Sequence, residues 1–341
     1  MKIVHLLQST KYSGAESVVC QIIQMAPLIS DEIEMIYVSP RGPIENILKE
    51  KKIRYFLLDS FSQHEIDRAI KELKPDLIQA HDFSASVKVA KYKNVISHLH
   101  NNASWLSKID FRTIVYALCI SRFKYIIGVS DSIRKEFLFN KFLGKKYVTL
   151  PNIVDDEKVL RMAEEGDRRK FDLLYVGRFA EAKNPLRFLR IVKSVVDNGI
   201  NVKAVMLGQG PLFESCEEYI KTNNLTEHVD LQGFTSNPYC FMKNAKMLVM
   251  TSVYEGFGLV AVESMILGTP VLCTPVGGLV NIVDESCGAL CESDNDFVDA
   301  IRKMHADNEL LIQKSISCKN NAKRFCNKAH YISVLKRIYF E

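Results

Sequence analysis

The chain has 341 residues, 47% of them apolar and 25% charged, with a formal net charge of +5; this is an ordinary globular composition, too long for a single hydrophobic core, so two domains of roughly 150 residues are expected. No apolar run approaches the roughly 20 residues a membrane-spanning helix needs, and the opening Met1-Lys2-Ile3-Val4-His5-Leu6-Leu7 turns polar too soon for a signal peptide, so a cytosolic protein is expected. The nine cysteines form no C-x-x-C pair, and Cys287 and Cys291 lack His or Cys partners at zinc-like spacing, which reads as reduced thiols.

In chain order, the apolar run at residues 2–7 ends in polar residues and Ser13-Gly14, and an amphipathic segment follows over 16–28: a strand, a loop and a helix. Short apolar runs recur at 33–38, 53–57, 77–80, 94–98 and 125–129, with helix-like stretches between several of them. Alternation of this kind indicates a parallel, doubly wound sheet. Residues 84–147 carry twelve basic residues, among them Lys88, Arg112, Arg122 and Lys146, and three acidic ones, so the basic surface belongs to this first half. Such a surface is either plainly solvated or meets an anionic membrane face or lipid phosphate; no nucleic-acid motif accompanies it, and nucleic acid is not expected as a partner.

At 161–170 the composition turns charged, and a fresh strand begins at 171. We place the boundary there, giving a first lobe over 1–168, a second over 169–320, and closing helices over 321–341 that cross back to the first. The second lobe repeats the cycle, with strands expected at 171–176, 202–207, 229–231, 247–250 and 270–273 and helices at 184–198, 212–223, 259–267 and 296–306. The fold class is α/β, two Rossmann-like lobes facing across a cleft. Ligands of open parallel sheets bind beyond the carboxyl ends of the strands, so the informative loops should line that cleft.

The segment from Ser252 to Met265 holds the chemistry. Gly256 and Gly258 precede a helix expected to start near Gly258 or Leu259, whose first N–H groups and dipole suit phosphate oxygens. Glu255 stands before that helix and Glu263 inside it; a carboxylate can accept two hydrogen bonds from a vicinal diol. For two carboxylates alone, a solvent-facing pair beside a glycine turn is the blander reading. Asp294-Asn295-Asp296 offers a D-x-D, but it adjoins a helix and reads as capping rather than as a metal site.

Glu255 and Glu263 form an E-x7-E motif headed by Glu-Gly-Phe-Gly, which resembles the retaining GT-B glycosyltransferases of family 4, the glycosyl transferases group 1. Val176-Gly177-Arg178-Phe179 with Lys183-Asn184, Gly208-Gln209-Gly210-Pro211, and Thr269-Pro270-Val271 with Gly277-Gly278 extend the resemblance over residues 171–300. In the first lobe it is thinner, carried by Ser13-Gly14-Ala15-Glu16, His81, His98-Leu99-His100-Asn101, Val129-Ser130 and Pro151-Asn152. It implies transfer of a sugar from a UDP- or GDP-sugar to a hydroxyl of a glycan or lipid-linked acceptor, with retention, in the setting of bacterial surface-polysaccharide synthesis. It also assigns a donor site of Gly14, Gly177, Arg178, Lys183, Gly208, Glu255, Gly256, Phe257, Gly258, Leu259, Val260 and Glu263. Glu263 is assigned to the ribose and Glu255 to the transferred sugar.

A departing nucleoside diphosphate develops negative charge that fixed cations must meet. Arg178 and Lys183 can do so without a metal, so no cofactor is expected. His100 aligns with a family histidine near the reacting sugar, and His98, on the same strand face, competes for that role. Asn281 stands where the family often has Glu, Ile153 where it has Gly, and Ser13 where it has a second glycine. A nicotinamide dehydrogenase is excluded, because Phe213 occupies the third glycine position after Gly208 and Gly210. A sugar-nucleotide epimerase and a non-catalytic sugar-nucleotide-binding protein stay open as alternatives.

Overall fold

The structure, a computed structural model, describes all residues except 103–104 and 167–168. It comprises two compact units, Met1–Ile153 with Asn327–Glu341, and Val154–Cys326.

The first unit is built on seven parallel strands: β1 (Lys2–Leu6), β2 (Glu34–Pro40), β3 (Tyr55–Leu58), β4 (Leu77–His81), β5 (Val95–Leu99), β6 (Phe123–Gly128) and β7 (Tyr147–Thr149). Their order is β3-β2-β1-β4-β5-β6-β7. Helices cover the sheet; Gly14–Gln24, for example, buries Val18, Val19, Ile22 and Ile23. Strands buried on both faces normally read as unbroken apolar runs. This sheet departs from that rule at its centre, where His5, Gln79, His81, Ser97 and His98 are all buried. The register sets His5 against Gln79 and His81 against His98. The closing helix Lys328–Phe340 belongs to this unit, burying Tyr331, Leu335, Ile338 and Tyr339.

The second unit has six parallel strands: β8 (Phe171–Val176), β9 (Ala204–Leu207), β10 (Val229–Gly233), β11 (Ala245–Met250), β12 (Val271–Cys273) and β13 (Gly288–Leu290), ordered β10-β9-β8-β11-β12-β13. Helix Pro185–Asp197 starts cleanly because Asn184, at φ 47°, caps it and proline fills the first turn. It packs Phe188, Leu189, Ile191 and Val192 onto Leu173 and Met206. Each such side chain, removed from water, contributes about 1.5–3 kcal/mol.

Two features differ from the sequence expectation. The division between the units falls after Ile153, not at 168, because helix Asp156–Met162, capped by Asp155, packs on helices Tyr239–Asn244 and Leu259–Ile266 of the second unit. The charged stretch at 161–170 therefore lies within the second unit. Strands β7 and β13 also went unread: each has three residues at a sheet edge, too few to show a period.

Candidate functional site

Both sheets change direction of strand order beside their first strand, between β1 and β4 and between β8 and β11. The loops leaving the carboxyl ends at such a switch point are where open α/β sheets hold ligands. In the second unit those loops are 177–184, after β8, and 251–258, after β11. They are tied to one another: Val253 N–H donates to the Ala182 carbonyl (2.9 Å), and the Thr251 hydroxyl donates to the carbonyls of Lys183 (3.2 Å) and Asn184 (2.9 Å).

On this frame Lys183 Nζ forms an ion pair with Glu255 Oε2, a carboxylate only 12% exposed, and the Ser252 hydroxyl lies 3.4 Å from the same oxygen. The sequence assigned the two residues to neighbouring parts of one ligand, and the fold brings them into contact. Arg178 lies on the same loop as Lys183, is exposed, and has no side-chain partner among the described residues. Helix Leu259–Ile266 begins at Gly258, which has φ 103°. The N–H groups of Leu259 and Val260 occupy its first two positions and have no acceptor within the helix. One turn on, Glu263 accepts a hydrogen bond from the Tyr239 hydroxyl (3.2 Å). Burial pushes its carboxyl up to about 7, against the opposing pull of Tyr239 and Lys158.

Glycines make these approaches possible. A Cβ on Gly208, at φ 138°, would overlap the Gly177 carbonyl, and one on Gly277, at φ 54°, would overlap the Glu255 carbonyl. Gly278 also lies close against Gly256 and Phe257, and its N–H donates to the Gly256 carbonyl (3.0 Å). Gly177 and Gly208 thus shape the site through their backbones. Phe257 is buried, with its ring edge-on to Phe325 at 5.4 Å, so its side chain anchors the loop. Asp294 pairs with Arg187 (2.6 Å), while Asp296 forms a capping box with Ser293. The D-x-D residues are thereby engaged in fixing a helix start.

In the first unit the corresponding loops follow β1 and β4. They surround a cavity of about 630 Å3 lined by Glu16, His81, Asp82, Phe83, Trp105 and Arg112 among others. Gly14 is the exposed first residue of helix Gly14–Gln24. The buried Glu16 carboxylate accepts from the Ser13 N–H (3.1 Å) and from its hydroxyl. Asp82 sits in the left-handed region at φ 63° and accepts from the His100 backbone N–H (2.7 Å) and the Asn101 amide (3.3 Å). Burial lifts its carboxyl to about 6. Phe83 and Trp105 meet edge-on at 4.8 Å, and the Arg112 guanidinium stacks over Trp105 at 5.5 Å.

His98 and His100 lie side by side, with ring centroids 4.1 Å apart. His98 bonds Gln79 (3.0 Å), and His100 bonds His81 (2.9 Å), which itself lines the cavity. The sequence reading missed Asp82, Trp105 and Arg112. Glu16 carried a readable signal, the Ser-x-x-Glu spacing of a capping box, whereas Asp82 and Trp105 converge only through the fold.

The tightness of the 277–278 loop has a measurable consequence. Gly199 also has positive φ, at 78°, but open space around it. Gly199→Ala should cost only the left-handed strain of about 1–2 kcal/mol. Gly277→Ala should cost clearly more in thermal or urea unfolding, since it must also displace the backbone at Glu255. Equal losses would mean that the close approach carries no energetic weight.

Comparison with known proteins gives this arrangement a family. The model for glycosyl transferases group 1 matches residues 157–325, and that for Glycosyltransferase Family 4 matches residues 12–158. The UDP-Gal:α-D-GlcNAc-diphosphoundecaprenol α-1,3-galactosyltransferase of Escherichia coli is 23% identical over the whole chain and 97% of its own length. An uncharacterized glycosyltransferase of Methanocaldococcus jannaschii is 26% identical over 62% of the chain. A Campylobacter jejuni N-acetylgalactosaminyltransferase acting on a diphospho-undecaprenol glycan is 33% identical over 53% of the chain. The chain spans 58% and 50% of the lengths of these last two. Among solved structures, HepE of Anabaena in complex with UDP superimposes with a TM-score of 0.83 at 18% identity, covering 99% of each chain. The lipopolysaccharide outer core galactosyltransferase WaaB gives 0.75 at 19% identity, over 100% of this chain and 99% of its own. The two family models together run from residue 12 to residue 325, and the chain belongs to the glycosyl transferases group 1, with the GT-B fold.

Proposed function

We propose that this chain transfers a hexosyl or N-acetylhexosaminyl group, with retention and without a metal, from a nucleoside-diphosphate sugar to a hydroxyl of a glycan or lipid-linked acceptor. The observation that carries this reading is the second unit's switch point. Arg178, Lys183 and the start of helix Leu259–Ile266 supply positive charge and N–H donors for a diphosphate beside two carboxylates for hydroxyl groups. UDP is favoured over GDP as the base-bearing diphosphate, in line with HepE and with the name of the E. coli relative. Both enterobacterial and Campylobacter relatives are named for undecaprenol-linked acceptors, which supports an acceptor of that class and a surface-polysaccharide setting.

In the proposed reaction the bond between the sugar's anomeric carbon and the phosphate oxygen breaks. The acceptor oxygen bonds that carbon from the same face, and its proton passes to the leaving phosphate. Arg178 and Lys183 meet the charge that develops on the diphosphate. Glu255 orients the sugar hydroxyls, and Glu263 accepts from the ribose diol. The cavity of the first unit suits the acceptor: Phe83 and Trp105 offer apolar faces to a sugar ring, while Glu16, Asp82 and Asn101 offer partners to its hydroxyls. An epimerase would need no acceptor, so turnover of UDP-sugar with and without added acceptor separates the two activities.

Three outcomes follow from these roles. Arg178→Ala should lower turnover by about 10²–10³, the loss typical of one fixed donor to developing charge, while thermal unfolding stays near that of the parent; undiminished turnover would remove Arg178 from the reaction. Glu263 must be ionised to accept both ribose hydroxyls, and its raised pKa near 7 places the change within reach. UDP affinity should therefore rise by about tenfold between pH 6 and pH 8, and Glu263→Gln should abolish that rise; a pH-independent affinity in the parent would exclude the assignment. The sign for stability is opposite: an acid whose folded pKa lies above its unfolded one contributes stability below the unfolded value of 4.5 that is lost as pH climbs toward 7.

Reaching a lipid-linked acceptor also asks for a membrane surface. No helix among the described residues is long and apolar enough to cross one. Helix Phe111–Cys119 exposes Phe111 (79%) and Leu118 (74%) on one stripe with Ile114, close in sequence to Lys108, Arg112 and Arg122. An apolar stripe with basic neighbours fits the anionic face of a bilayer. Cosedimentation with vesicles should thus require anionic lipid and weaken severalfold in Phe111→Ser with Leu118→Ser; equal binding to neutral vesicles would count against a peripheral location.

A further inference from the structure

Glu263, the carboxylate assigned to the ribose, is flanked by residues of two further helices of the second unit. Helix Leu259–Ile266 carries it, and helices Tyr239–Asn244 and Asp156–Met162 pack against that helix and against each other. The first of these gives Glu263 a hydrogen bond, from the Tyr239 hydroxyl to Oε1 (3.2 Å), and the second brings the charge of Lys158. Neither residue has a part in the proposed reaction so far, and neither belongs to the motif that marks the donor site.

The segment that carries Tyr239 is pinned on both sides. Asn237 Oδ1 accepts from the Tyr239 backbone N–H (3.2 Å), an Asx turn that occupies one orphan donor of the helix start. The Asn237 amide donates in turn to the carbonyls of Met162 (2.9 Å) and Glu165 (3.3 Å), at and just beyond the end of helix Asp156–Met162. Lys243 pairs with Glu164 (2.6 Å). The Thr269 hydroxyl, in the turn after helix Leu259–Ile266, donates to the Met242 carbonyl (2.6 Å). The Tyr239 hydroxyl therefore reaches Glu263 from a backbone tied to both neighbouring helices.

We propose that Tyr239 is a positioning residue for Glu263: its hydroxyl anchors one carboxylate oxygen and favours the charged form, the form that can accept both hydroxyls of a ribose. This role presupposes that Glu263 receives the ribose, as in the reaction proposed above. A carboxylate has about four lone-pair sites, so one phenol leaves room for the two donors of a diol. A donated hydrogen bond stabilises the ionised acid over the neutral one. Here it opposes burial, which pushes the Glu263 carboxyl up to about 7, and Lys158 pulls the same way as Tyr239. The other neighbours of helix Leu259–Ile266 bring no further charge to Glu263 among the described residues. Lys319 of helix Asn308–Ala322 lies against Gly268, past the end of the helix, and Lys246 of β11 pairs with Asp172 (2.9 Å). Helix Leu279–Ile282 and β12 carry no charged residue. Tyr239 thus sets how much of the site is ready for a nucleotide near neutral pH.

Tyr239→Phe removes the hydroxyl and keeps the ring, so thermal unfolding should stay near that of the parent. In the full chain labelled with 13C at the glutamate carboxyls, the Glu263 resonance is assigned through Glu263→Gln. Its titration midpoint should rise by about one unit in Tyr239→Phe, the loss expected for one hydrogen bond to a charged group. UDP affinity is read by calorimetry as the ratio of variant to parent, in which the titration of UDP itself cancels. It should fall about fivefold at pH 7 and return close to the parent's by pH 9, where Glu263 is ionised in both. A packing defect would weaken binding equally at both pH values, and that result would overturn the proposal. So would an unmoved Glu263 midpoint in Tyr239→Phe, which needs no ligand and would leave the proposed reaction standing. Failure of the donor site itself shows in the parent chain: UDP affinity that ignores pH, or that Glu263→Gln leaves unchanged, removes the ribose role and the positioning role with it.

Discussion

Backbone-to-backbone contact at the carboxyl ends of β8 and β11 is the constraint on which the second unit's site depends. Gly277 and Gly278 lie against the carbonyls of Glu255, Gly256 and Phe257, and Gly208 lies against that of Gly177, at separations that leave no room for a Cβ. These contacts, with the Val253 and Thr251 hydrogen bonds to the 182–184 turn, clamp two loops that come from different strands. The ion pair between Lys183 and Glu255 then forms between side chains whose backbones are already fixed. A partly buried pair positioned in this way loses less side-chain freedom than a surface pair, whose net contribution is about 0–1 kcal/mol. The geometry is thus a property of the glycines first and of the charged residues second.

The same reasoning explains why the second unit was the more legible half. Its information is local: Glu-Gly-Phe-Gly, the paired glycines at 277–278 and the Gly-x-Gly-Pro after β9 each encode a turn whose backbone demands can be read in a few residues. Strand and helix order followed from alternation, and the Rossmann-like topology with it. The first unit resisted because its cavity is assembled from residues far apart in sequence. Glu16 comes from the first helix, Asp82 from a left-handed residue after β4, and Trp105 from the loop after β5. Only Glu16 carries a pattern readable outside the fold, its Ser-x-x-Glu capping spacing, and that pattern does not say what the carboxylate faces. The boundary at Ile153 was obscured by a related effect: the charged run that begins at Arg161 starts within helix Asp156–Met162 of the second unit, and charge alone does not mark a linker.

The two sheets share a strand order around their first strands but differ in what fills their centres. In the second unit Leu173, Val249 and Met206 make an apolar interior. In the first, His5, Gln79, His81, Ser97 and His98 occupy strand positions that a parallel sheet normally gives to Val or Ile. Buried polar groups persist only where they satisfy one another. Two hydrogen-bonded sets meet that demand in part, Tyr339 with Gln79 and His98, and His5 with His81 and His100, while His5 Nε2, His98 Nε2 and His100 Nδ1 have no partner among the described residues. Helix Lys328–Phe340 does more than cover the sheet, since its Tyr339 hydroxyl is hydrogen-bonded to the buried Gln79 amide (2.7 Å).

Glu255 and Glu263 show how two residues of one motif acquire different chemistry from their surroundings. Glu255 faces the ammonium of Lys183 and the hydroxyl of Ser252, both donors. Glu263 lies one turn into a helix with Tyr239 as its hydrogen-bond donor, and burial drives its pKa toward neutrality. A carboxylate beside a cation keeps a partner for its charge whatever binds, whereas a carboxylate buried with a phenol gains when a ligand brings further donors. A vicinal diol provides two such donors at once. The fold thus leaves Glu263 with room for further hydrogen-bond donors, a property that the spacing between the two glutamates does not contain.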